Sequence, residues 1–164
     1  GMAFANKGKL RKAKKELKKV TAGLDNEVIQ ELDYARFPTI NLTKMAVHVL
    51  KGTIAGQKKN YDEQVAEIQK AVDIQDGLNY SEPPYFYYPI RQSLGAALLA
   101  ANQPEKAETV YKKDLEIFPN SGWSLFGLHQ SLIKQGKAEA AKAVYQDYKK
   151  AWVHADVELE QSVM

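Results

Sequence analysis

Two stretches decide the fold when set one beneath the other: residues 88–119, YPIRQSLGAALLAANQPEKAETVYKKDLEIFP, and residues 122–153, GWSLFGLHQSLIKQGKAEAAKAVYQDYKKAWV. Leu94 meets Leu128, Leu98 meets Leu132, Ala107 meets Ala141, Val110 meets Val144 and Tyr111 meets Tyr145. Asn102, in one turn, faces Gly136 in the other, and every pair is 34 residues apart. That spacing is the period of a helix–turn–helix repeat. Each helix of such a unit carries one apolar face and cannot bury it alone, so stacking of neighbours is what creates a core.

Working outward, an earlier copy lies at an offset of 43: Gly52 with Gly95, Tyr61 with Pro104, Ile68 with Tyr111, Ala71 with Asp114. The extra residues fall around Asp76–Pro84, where Gly77 ends a helix and Pro83-Pro84 forbid its continuation. A weaker match at an offset of 51 sets Leu10, Leu17 and Val20 on Tyr61, Ile68 and Ala71. Lys7-Gly8-Lys9 then occupies a turn inside a repeat, and Leu10–Thr21 is a second helix with only Met2–Ala5 before the turn. The expectation is a chain that begins partway through a repeat, cut from a longer repeat protein, with Gly1 left by expression cloning. A natural short start is the alternative.

The apolar stripes place the helices. Leu10, Ala13, Leu17 and Val20 share one face; Asp25 caps the next helix, with Val28, Leu32 and Ala35 on its face until Phe37-Pro38. Thr43 opens a helix with Met45, Ala46, Val49, Leu50 and Ile54 inward, partnered by Tyr61, Val65, Ile68 and Val72. The predicted organisation is one domain over 1–164: a partial repeat at 3–22, a connecting helix at 24–37, a divergent repeat at 43–76, an aromatic and proline-rich insertion at 77–87, repeats at 88–121 and 122–153, and a tail at 154–164.

Composition fits a core-forming chain, 45% apolar and 26% charged. No apolar run reaches the roughly 18–20 residues of a membrane span, and no signal peptide is visible. Without cysteine there is no disulfide framework or thiolate metal site, and a cytoplasmic location is expected. The net charge of +3 hides an asymmetry: Lys7, Lys9, Arg11, Lys12, Lys14, Lys15, Lys18 and Lys19 stand against Glu16 alone. The remainder, 15 basic and 19 acidic residues, is net −4.

These residues resemble the tetratricopeptide repeat. Leu94-Gly95, Leu98, Ala107, Tyr111 and Pro119 fall on the family's signature spacing, as do Leu128, Leu132, Gly136, Ala141 and Tyr145. Residues 45–76 look like a divergent third copy and 3–22 like the tail of a fourth. The stretch Glu82–Gly95 is similar to the C-terminal part of larger bacterial repeat proteins. Departures are His129, Gln64, Asp114 and Tyr148 where small residues are usual, and Lys51 where leucine is. Asp114 is read either as hydrogen-bonded to the following helix or as exposed, and Tyr148 as a cover for the last repeat's open end. The resemblance implies an all-α solenoid of antiparallel helix pairs wound into a right-handed superhelix.

It further implies an inner groove lined by the first helix of each repeat: Gln92, Ala96, Leu99 and Ala100, then Trp123, Phe126, Gln130, Ile133 and Lys134, continued by Val49, Thr53 and Gln57. Such a groove suits a peptide or protein segment with apolar anchors, with Trp123 and Phe126 as energetic centres. The alternative is that Trp152–Met164 packs there. The lysine, asparagine and arginine set by which some family members clamp a terminal carboxylate is absent. Tyr80, Tyr85, Phe86, Tyr87 and Tyr88 read as a wedge beside the insertion.

Self-assembly into a homo-oligomer is the second functional reading. Nucleic acid or another acidic surface on residues 7–19 is the third, weakened because no aromatic interleaves with the cations. His48, His129 and His154 lack metal-ligand spacing, and no phosphate loop or nucleophile motif occurs. No enzyme activity and no cofactor are expected.

Overall fold

The computed structural model describes residues 1–86 and 88–162. Four of its inter-helix turns share one backbone pattern. Gly8, Lys59, Asn102 and Gly136 take φ of 68°, 60°, 56° and 73°. The next residue then donates its amide five residues back: Lys9 to Phe4, Asn60 to Ala55, Gln103 to Leu98 and Lys137 to Leu132, at 2.8, 3.0, 2.9 and 3.0 Å. A left-handed residue lets the chain return two amides to the last helical turn, which ends the helix and reverses the chain. These turns recur at the offsets at which the sequence repeats.

The described residues form nine α-helices and no strand: α1 (Met2–Asn6), α2 (Leu10–Ala22), α3 (Glu27–Tyr34) after a 3-10 turn at Gly23–Asp25, α4 (Thr39–Gln57), α5 (Tyr61–Asp76), α6 (Ile90–Ala100), α7 (Pro104–Ile117), α8 (Gly122–Lys134) and α9 (Ala138–Ala151). Where the repeat pattern predicts one continuous domain, the chain forms two compact units, Gly1–Tyr88 and Pro89–Met164. Pairs α1–α2 and α4–α5 belong to the first; α6–α7 and α8–α9, with α7 against α8, belong to the second. This is an all-α helical-repeat architecture.

In the first unit, Ala5, Ala13, Leu50 and Ile54 form a core with Met2, Phe4, Leu10, Leu17 and Val20 around it. Gln64 fits its unusual position because Gly56 stands opposite; a Cβ at Gly56 would lie 2.6 Å from the Gln64 amide. In the second unit the corresponding pair is Leu99 and Ala107, so large and small have exchanged places. Three local readings need correction. Asn26, not Asp25, caps α3, accepting from the amide of Val28 at 3.0 Å. The helix expected to open at Thr43 begins at Thr39, because Asp33 Oδ1 takes the Ile40 amide at 3.0 Å and Thr39 Oγ1 donates to the Ile29 carbonyl at 2.6 Å. Those bonds turn α3 so that Val28 and Leu32 face solvent.

The second unit is built around Tyr111, fully buried against Gly95 and Gly127. The next repeat lacks that slot. His129 occupies the place of Gly95, bonds the Ala141 carbonyl at 2.9 Å and stacks on Tyr145, which is left 38% exposed. Asp114 is fully buried. It accepts hydrogen bonds from Ser124 of α8 and from Gln92 of α6, while Oδ1 has no partner. Burial pushes its carboxyl above the ordinary range, the Ser124 and Gln92 bonds and the Arg91 charge pulling weakly the other way.

A carboxyl whose folded pKa is raised contributes stability below its unfolded pKa, and that contribution is lost as pH rises through the folded value. Asp114→Asn, which keeps the shape and an acceptor for Ser124, is therefore expected to stabilise the chain at pH 7 by about 1–2 kcal/mol. The gain should vanish as pH falls below the ordinary aspartate range. Thermal melts of both chains across pH check this; a variant melting lower than the native chain at pH 7 would refute it.

Candidate binding face of the second unit

The expected groove residues of α6 and α8 do not all reach solvent. Gln92 is a correction: it is 8% exposed, and its amide turns inward to Asp114 at 3.4 Å and to Ser121 Oγ at 3.1 Å. A buried donor bonded to two acceptors is unavailable to a ligand. Leu99 is buried as well. Ala96, Trp123, Phe126 and Gln130 are half-buried, and Ala100, Ile133 and Lys134 are exposed. The open part of this face is therefore its C-terminal end, at the last turns of α6 and α8.

The N-terminal end of α8 is covered by the chain itself. Trp152 lies on Gly122, where a Cβ would come within 2.1 Å of the ring. Its ring meets Trp123 edge-on at 5.6 Å, and Phe126 packs on Tyr148 at 5.3 Å. Beyond Trp152 the chain turns back. Trp152 Nε1 donates to the Val157 carbonyl at 2.7 Å, Tyr148 has a backbone hydrogen bond with Leu159, and Gln130 Nε2 reaches the Glu160 carbonyl at 3.5 Å. Ser162, 1% exposed, closes the run with a short hydrogen bond to the Tyr111 hydroxyl. The segment after α9 thus meets Trp123 and Gln130, Phe126 is packed by Tyr148 of α9 itself, and Ile133 and Lys134 stay exposed. Val163 and Met164 lie outside the described residues.

The remaining candidates sort by unit. In the first, Val49 lines an open cleft of about 590 Å³ with Met2, Ala3, Val20, Ala46 and Phe86. Thr53 is half-buried and bonds the Val49 carbonyl at 2.8 Å, and Gln57 is exposed. The basic side chains of 7–19 are all exposed; Lys19 pairs with Glu16 at 3.0 Å and Lys12 lies 5.6 Å over the Phe4 ring. Tyr80, expected in a wedge, is 86% exposed and donates to Glu82 at 2.7 Å, whereas Tyr85 packs edge-on against Phe37 and Phe86 against Tyr88. Tyr87 lies outside the described residues.

His48 bonds Glu67 at 2.8 Å, and no cluster of three or more metal-ligating side chains occurs among the described residues. In the second unit, Glu108 pairs with Lys112 within α7 and ties α7 to the α8–α9 turn through Lys137 and Gln135; the three hold its carboxyl down at about 2. None of the described helices is long and apolar enough to cross a membrane.

These helix pairs define the class, an all-helical repeat protein. Residues 46–77, which fall on α4 and α5, match the family model described as Tetratricopeptide repeat. The match falls on the pair that departs from the signature at Lys51 and Gln64. No curated protein and no solved structure matches the chain. Tetratricopeptide repeats generally mediate protein–protein interaction and are typically non-catalytic.

Proposed function

We propose that the second unit is a non-catalytic protein-interaction module, with α6–α9 forming two further tetratricopeptide repeats whose first helices receive a peptide or protein segment. The observation that carries this is the open end of the α8 face. Ile133 is 54% exposed beside exposed Lys134, one turn from half-buried Gln130. An exposed aliphatic flanked by an amide and a cation suits an anchor residue with a polar or acidic neighbour.

Trp123 and Phe126 are poor first probes, since truncating either removes packing on Trp152 or Tyr148. Ile133→Asp with Lys134→Glu changes only exposed side chains, so stability should move by no more than about 0.5 kcal/mol per site. The double variant of the full chain is expected to lose its captured partners at least tenfold in quantitative affinity capture. An unchanged partner set would count against the reading.

Self-association is the second reading, favoured by α3 and the turn after it, where Val28, Leu32 and Phe37 are 60%, 46% and 47% exposed. Sedimentation that does not change with concentration would remove it. An acidic partner for α2 has only the exposed cations behind it.

A further inference from the structure

The segment after α9 is held at two ends and is loose between them. Trp152 anchors one end on Gly122, and Ser162 is buried at the Tyr111 hydroxyl at the other. Residues 153–158, 160 and 161 are exposed, Val157 by 54%, and Leu159 is half-buried. Its hydrogen bonds to the helices go through its backbone, at Leu159 to Tyr148 of α9 and at Glu160 to Gln130 of α8, apart from the Ser162 hydroxyl, which meets Tyr111 of α7. Recognition through the backbone with one buried side chain is how a groove holds a peptide. A segment with so little buried apolar surface opens at low cost compared with the core beneath it.

The geometry points to residues 157–162 as an intramolecular ligand of the inner face of the second unit, occupying a site for an irregular acidic segment that ends in a small hydroxyl side chain. The chemistry of the ligand is read from its present occupant: Asp156, Glu158 and Glu160 alternate with Val157 and Leu159 before Ser162. Lys134, on the same α8 face as Gln130, lies open for the acidic side chains of a longer ligand. The hydroxyl must be small, because Ser162 is 1% exposed where it meets the Tyr111 hydroxyl. This inference rests on the reading of that face as a binding site, and adds its ligand class and its gate. A tethered ligand competes at an effective concentration of roughly millimolar, so a partner in trans binds only when it outcompetes the strap or the strap is released.

The test uses the full chain, native and with Ser162→Arg, whose side chain does not fit beside Tyr111. A fluorescein-labelled peptide with the sequence of residues 155–162 is titrated into each by anisotropy, and hydrogen exchange at the Leu159 amide reports whether the strap is released. The expected result is lost Leu159 protection in the variant and peptide binding at least tenfold tighter than to the native chain. A peptide ending in arginine in place of serine should bind neither chain. Equal binding to both chains with protection lost would overturn the gate while leaving the interaction reading standing. Lost protection with no binding to either chain would overturn both. Retained protection in the variant would show that Ser162 does not hold the segment, and would overturn the inference.

Discussion

Tyr111→Ala is expected to destabilise the second unit by about 3–5 kcal/mol, the range for removing a buried aromatic side chain. Against a total stability of about 5–15 kcal/mol for a typical domain, that is enough to bring the unit near its folding threshold. The magnitude follows from where the ring sits. Tyr111 is fully buried, with Gly95 and Gly127 so close that neither helix has room for a Cβ beside it. Truncation empties the space between α6 and α8, and rigid helix backbones cannot collapse into it. Tyr111→Phe is the control, keeping the ring and losing only the hydrogen bond to Ser162; it should cost no more than about 1.5 kcal/mol. Both tryptophans, Trp123 and Trp152, lie in this unit, so denaturant unfolding followed by their fluorescence reads it directly. A Tyr111→Ala midpoint matching that of Tyr111→Phe would sink the argument.

The repeating turns were legible because turn chemistry is local. A glycine or asparagine at a fixed offset from apolar stripes carries most of what a helix reversal needs; the turn at Lys59 has neither residue and carried no such signal. The stripes of α2, α4 and α5 were legible for the same reason: their periodicity is set by one face meeting one partner. The stripe of α3 misled. Val28 and Leu32 look like a buried face, yet Asp33 and Thr39 fix the helix by tertiary bonds to α4, and hydrogen bonds outrank a short apolar pattern in an eight-residue helix.

The candidate site was legible as a face but not as a surface. Gln92 and Gln130 are both glutamines of a first helix read onto the same face, and nothing in the chain near Gln92 says that its amide serves Asp114, which lies 22 residues away. The segment after α9 has no helical or strand period to read. Its place follows from Trp152 finding Gly122 and Ser162 finding Tyr111, contacts with no local signature. His129 was legible as a departure, and its effect on Tyr145 is the physical result: one imidazole in place of one glycine puts the ring outside.

Gly95→Ala and Gly52→Ala occupy equivalent positions and are expected to differ by at least about 2 kcal/mol, because their neighbours differ in freedom to move. Both gain about 1 kcal/mol from helix propensity. A Cβ at Gly52 meets Ile68 Cδ1 and Cγ1 at 2.7 Å, atoms of an aliphatic side chain that another rotamer can withdraw, and the Gln64 carbonyl oxygen only at 3.3 Å. A Cβ at Gly95 meets the Tyr111 ring at 2.3 Å, and the ring cannot retreat, because Gly127 crowds the same ring, a Cβ there coming within 2.2 Å of it. Moving Tyr111 means moving a helix. Gly52→Ala should therefore be close to neutral and Gly95→Ala should lower the unfolding midpoint clearly. Replacing the ring by the smaller Tyr111→Leu should abolish most of the Gly95→Ala penalty, since the clash is with the ring alone. In the resulting double-mutant cycle the coupling should exceed about 1 kcal/mol in the compensating direction. Additive effects at the two sites would mean that the ring is not what excludes a side chain at Gly95.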